Sequence, residues 1–147
     1  DVDFSGINLS GASMIGASLT GARFMGSALN MADLSGTNIY KGKLDKAEMT
    51  GINLSGADLT DASLQEADIS AADIKDRDGN STGRAWPANL SEANLSRSNL
   101  TATILRGANL SNSNFNGANL RGADLSNASI DGARLQGAII TEAKLPN

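Results

Sequence analysis

The chain has 147 residues, enough for one ordinary domain, yet only 3% are aromatic, so its interior must be built from aliphatic side chains. Cys and His are both absent, which removes disulfides, thiolate nucleophiles, imidazole bases and the usual zinc, copper and haem ligands. A formal charge of -4 argues against a nucleic-acid partner, which needs a basic stripe, and no apolar run is long enough to span a membrane.

From Val2 the sequence reads in fives: VDFSG, INLSG, ASMIG, ASLTG, ARFMG, SALNM, ADLSG and onward to ADIKD, ending at Asp76. It resumes at Ala88 as ANLSE, ANLSR, SNLTA, TILRG and continues to AKLPN, giving 15 units before the interruption and 12 after. The central residue of every unit, from Phe4 to Leu145, is Leu, Ile, Met or Phe, and two places before it stands Ala in most units. A helix cannot use this pattern, because a five-residue step at 100° per residue smears the apolar stripe around the whole surface. Extended backbone can, since residues two apart share a face: the small and the central residue point inward and the one between them points out. Five is odd, so a bend must reset the alternation in each unit, and Gly at the fifth place of 13 units suits a turn with positive φ. Short sides joined by regular corners make an all-β coil, three-sided or four-sided.

Units such as ADLSG, ADLTD, ANLSR and ANLRG closely resemble the pentapeptide repeat family, and the resemblance covers 135 of the 147 residues. It implies a right-handed quadrilateral parallel β-helix of cyanobacterial type, filled by the central and the small residues. At roughly 4.8 Å per stacked strand, about seven coils make a rod about 33 Å long. On that geometry Phe4 and Phe24, four units apart, stack in one column, and Phe115 joins them if the interruption adds no side to the coil.

The interruption itself is RDGNSTGRAWP, residues 77–87, expected as a surface loop inserted into a single repeat domain of units 2–76 and 88–147. Its small polar residues cannot fill an interior. Arg77, Asp78, Asn80, Arg84 and Trp86 are the candidate interaction residues, because a loop on a rigid scaffold is where such rods differ. The sole Trp, beside Pro87 at the loop's exit, either packs on the adjacent face as a pin or serves as an anchor for a partner. Asp76, Asp78 and Asn80 do not make a calcium loop: the Gly falls at the fourth place and Pro87 stands where a bidentate Glu belongs.

No catalytic, cofactor or metal residues are assigned, since Ser and Asp occupy many equivalent outward positions with no base at a fixed spacing. The expected role is a non-enzymatic binding or scaffolding rod, its partner another protein. A second copy joined through an apolar rod end is a further expected partner. The alternative, implied by family members that resemble duplex DNA and protect DNA gyrase, is mimicry of DNA toward a type II topoisomerase. Mimicry asks for about one charge per 1.7 Å. The most acidic face expected, carrying Leu59, holds only Asp58, Asp61, Glu92 and Asp131 against Lys41. The start at Asp1 implies a processed or trimmed chain, so the expected setting is cytoplasmic or, after removal of a signal peptide, periplasmic or thylakoid-lumenal.

Overall fold

A computed structural model describes residues 1–147. Each five-residue unit forms one side, and the residue just before each central one makes an isolated parallel bridge to the residue 20 places on: Asp3 to Arg23, Arg23 to Lys43, Lys43 to Ser63. Twenty residues are four sides, so the coil is square in section. Backbone bonds climb every column, as in Phe4 N to Arg23 O (2.7 Å) and Phe24 N to Lys43 O (2.7 Å).

The corners follow from local chemistry. The central residue's carbonyl accepts from the N–H three places on, as in Ala12 N to Leu9 O (3.0 Å), and the residue at the fifth place has positive φ, the pattern of a type II turn. Gly supplies this at most corners, while Met31, Lys41, Asp61 and Arg97 are among the residues that accept it at φ 55–59°. Where the small inward residue is Ser or Thr, its hydroxyl is absorbed by a corner carbonyl: Ser27 donates to Phe24 O (2.8 Å) and Thr37 to Leu34 O (2.7 Å), while Thr103 reaches Leu64 O on the neighbouring coil (2.7 Å). Gly42 replaces the usual Ala because a Cβ there would lie 2.9 Å from Ile39 O and would also strike the Ile39 side chain.

The interior is one continuous cluster of stacked aliphatics, with Leu34, Leu54, Leu90 and Leu110 wholly buried in one column. Phe4 and Phe24 stack as expected, their ring centroids 5.0 Å apart. Phe115 does not join them. Asn114 bridges Asn94, which bridges Asp58, so Phe115 stands in the column of Leu95 and Leu59, one face away from Phe24.

The cause is the interruption, which is longer than the sequence suggests. Across it the bridges step by 36 instead of 20, as in Asn53 to Asn89 and Asp68 to Ile104. The 16 additional residues are therefore 72–87, and ADIKD, which fits the repeat and was expected as a side, leaves the coil. Ala72–Lys75 (β1) pairs antiparallel with Ser81–Trp86 (β2), Ala72 opposite Trp86 and Ile74 opposite Arg84. Ile74 is consequently only half-buried. The expected loop 77–87 is the distal part of a hairpin that begins five residues earlier. No helix of the structure is long and apolar enough to cross a membrane.

Candidate functional site

The hairpin stands off a corner of the rod with every residue of Ser81–Trp86 exposed. Its turn is organised by Asp76, whose Oδ1 accepts from the N–H of Asp78 and of Asn80, both at 2.9 Å, while its own N–H donates to Asn80 O (2.8 Å). The Asp76 carboxylate is thus spent on the turn. Lower down, the Ser81 hydroxyl donates to Asp73 (2.7 Å) and the Thr82 hydroxyl to Ile74 O (2.6 Å), tying the two strands by side chains.

These contacts separate the five candidate residues. Arg77, Asp78 and Asn80 lie at the tip. Arg84 lies midway and Trp86 at the root, and since Ala72 and Ile74 oppose them, Trp86 and Arg84 share one hairpin face. Lys75, Arg77 and Arg84 take part in none of the ion pairs. The hairpin therefore presents three uncommitted cations.

Trp86 is both seated and open. A Cβ on Gly51 would meet the Met31 sulfur and come within 2.9 Å of Ala72 Cβ and 3.5 Å of Trp86 Cδ1, so the bare corner at Gly51 is what lets the hairpin root settle. Met31, an outward apolar residue, packs at this same corner. The indole nevertheless remains 57% exposed. It forms one wall of a groove of about 320 Å³ with Ile52, Asn53, Pro87, Asn89 and Asn109. The two readings of Trp86, pin and anchor, are thus not exclusive geometrically.

The asparagine wall of this groove escaped the sequence reading. Asn53, Asn89 and Asn109 stand at the same place of their units on three successive coils and bridge one another in turn. Their shared position was visible in the repeat, but aligning them needs the true length of the interruption. Each Oδ1 accepts the N–H two residues on, from Ser55 (3.1 Å), Ser91 (3.0 Å) and Ser111 (3.1 Å), which fixes the amides with their NH₂ groups away from the backbone.

The corrected register also redistributes the charge. The Leu59 face carries Asp58 and Asp61 with Lys41, Arg97 and Arg134, and Arg97 clasps Asp61 through two bonds of 2.9 and 3.1 Å. The most acidic side is the Leu54 face, with Asp33, Glu92 and Asp131 and no base.

Eight copies of the family description "Pentapeptide repeats" match the sequence over residues 3–39, 43–76, 88–127 and 108–147. The chain belongs to the pentapeptide repeat family. Its fold is the right-handed quadrilateral β-helix of that family. The match runs through residue 76, although 72–76 lie in the hairpin, because ADIKD satisfies the repeat pattern locally. Among solved structures, the chain is similar to HetL, a pentapeptide repeat protein involved in heterocyst differentiation regulation from the cyanobacterium Nostoc sp. strain PCC 7120. The identity is 28% and the TM-score 0.51, over 99% of this chain and 66% of HetL. It is also similar to QnrB1, a plasmid-mediated fluoroquinolone resistance protein, at 20% identity and TM-score 0.41, over 95% of this chain and 78% of that one. A pentapeptide repeat protein of the Arabidopsis thaliana thylakoid lumen matches at 26% identity and TM-score 0.22, over 89% of this chain and 70% of the other. The search of curated proteins gave no match.

Proposed function

We propose that this pentapeptide repeat protein is a non-enzymatic binding module whose rod holds the 72–87 hairpin as a recognition element for another protein. One observation carries the reading: the hairpin is the single departure from the coil, and it is clothed in exposed side chains whose cations have no acidic partner. A rigid support lowers the ordering cost of binding, which is what a short projecting ribbon needs. The tip residues Arg77, Asp78 and Asn80 and the flanking Arg84 make the contact, and an acidic surface is the complementary partner chemistry.

The test compares the intact chain with a variant lacking 72–87, both immobilised and exposed to extract of the host. Proteins held by the intact chain and lost from a folded deletion variant support the reading; identical retention by both overturns it. Charge reversal at the tip, Arg77→Glu with Arg84→Glu, should weaken the captured partner at least about tenfold at low salt, and less so as salt rises.

Mimicry of DNA fares worse. The Leu54 face offers three carboxylates over several coils, against the continuous line of charge on a duplex. A gyrase supercoiling assay is expected to show no inhibition by this chain.

A further inference from the structure

The groove at the hairpin root has a chemistry of its own. None of its six lining residues is charged, and the rod face beside it carries Asp33 and Glu92 but no base, so the groove wall itself offers an anion no cation. Its rod wall has no strand edge to offer. Asn53 N donates to Ala32 O, Asn89 N to Ile52 O and Asn109 N to Ala88 O, while Asn89 O and Asn109 O accept from Leu54 N and Leu90 N. Pro87 has no N–H at all. An extended peptide would thus find no backbone to pair with.

What the wall does offer is side-chain amide. The NH₂ of Asn89 has no protein acceptor, and that of Asn109 reaches only Asn89 Oδ1 at 3.4 Å. Asn53 bridges Asp33 on the preceding coil. Each therefore keeps at least one N–H free, held in place because its Oδ1 is fixed to the corner. The same groove is lined by the exposed indole of Trp86, the only Trp of the chain. A flat apolar platform in one groove with a row of oriented, uncharged donors matches a ligand with one apolar face and an acceptor-rich rim.

We propose that this groove binds a neutral sugar ring, its C–H face on Trp86 and its hydroxyl oxygens accepting from Asn89 and Asn109. The inference rests on 72–87 being a recognition element, but concerns its root and not its tip. A cavity of about 320 Å³ sits at the small end of ligand sites, which suits one or two rings.

Emission from the single Trp reads the site directly in the whole chain. Titration with cellobiose and with N,N′-diacetylchitobiose should give a saturable blue shift with at least one of them. Asn89→Asp and Asn109→Asp keep the Oδ1 that the corner needs and remove the NH₂, and Asp already occupies the same place of its unit at Asp33 and Asp58. Each variant should fold as before, by circular dichroism, and bind the sugar at least about tenfold more weakly, the loss of one good hydrogen bond. No saturable shift in the intact chain overturns the proposal, as does equal affinity in the two Asp variants. Tighter binding of adenosine than of either sugar also overturns it, assigning the indole to base stacking. Any of these failures leaves the protein-capture comparison between the intact and hairpin-deleted chains untouched, so the two readings fail separately.

Discussion

Corner residues with similar backbone geometry do different work. Gly51 and Gly56 have φ of 65° and 64°, but only at Gly51 is there something for a side chain to hit. Since eleven other corners hold non-glycine residues at φ near 60°, conformation alone does not demand glycine at either place. Gly51→Ala should therefore displace Met31 and lift the hairpin root, shifting Trp86 emission to the red while the melting temperature moves by no more than a few degrees. Gly56→Ala, with open space around it, should leave the emission unchanged. Asp124 stands on a side of the coil, two places before the corner residue Ser126. Hydrogen bonding from Ser126 first, and then the Arg106 guanidinium at 2.6 Å, hold its carboxyl far below the usual carboxylate range, and Lys144 stands 3.9 Å away. A depressed folded pKa contributes stability that is present above the unfolded value, about 3.9, and lost as pH falls toward the folded one. The intact chain should consequently lose more stability than Asp124→Asn between about pH 5 and pH 2, measured by urea unfolding at each pH. Equal losses would show that this cluster does not set the acid response.

At the scale of the element, the hairpin shows where local pattern stops deciding. Ala72, Asp73 and Ile74 satisfy the repeat as well as any side does, and nothing within ADIKD says that it leaves the coil. The decision lies in Ser81–Trp86, which offers Ala72–Lys75 an antiparallel partner that a side of the coil would forgo. A two-stranded ribbon is marginal alone, so its side-chain ties and the seat at Gly51 matter. The sequence made the corners and the inward columns readable, because each follows from a five-residue rule. It concealed the asparagine wall of the groove, because that wall exists only once Asn53 and Asn89 are known to be neighbours. Two deletions check the account. Removing 72–87 joins Ala71 to Ala88 and preserves the native register. Removing 77–87 leaves ADIKD to become a side, rotating every later unit by one face and bringing Phe115 into the column of Phe4. With no native Cys to interfere, the pair Asn53→Cys and Asn89→Cys should cross-link in the first variant. In the second, Asp58→Cys with Asn89→Cys should link instead. Cross-linking of the first pair in both would contradict the 16-residue excursion.

The whole molecule is a stack in which each coil contacts only the next, so damage at its centre differs from damage at its surface. Leu54 is wholly buried midway along its column, between Leu34 and Leu90. Leu54→Ala should cost about 2–5 kcal/mol by leaving a cavity between them, and Leu54→Lys should unfold the rod or split its melting into two transitions. Ser55→Lys, one place on and half-exposed, should stay within about 0.5 kcal/mol of the unaltered chain. Thermal unfolding followed by circular dichroism separates these outcomes, and equal shifts for Leu54→Lys and Ser55→Lys would refute the assignment of inside and outside.

The square section has a consequence for how such a chain can change its length over generations. Duplicating one unit adds five residues and turns everything downstream by a quarter of a revolution, so that Arg97 would no longer face Asp61 and the asparagine wall would be broken apart. Duplicating four units adds twenty residues and disturbs no column. The hairpin follows neither arithmetic: it departs and returns at one corner, and Leu54 N still meets Asn89 O at 2.7 Å, as short as any rung elsewhere in the ladder. Inheritance can therefore rewrite what stands between Ala71 and Ala88, in length or in composition, without shifting any column of the rod; only the seat around Gly51 and Met31 and the groove beside Trp86 would record the edit.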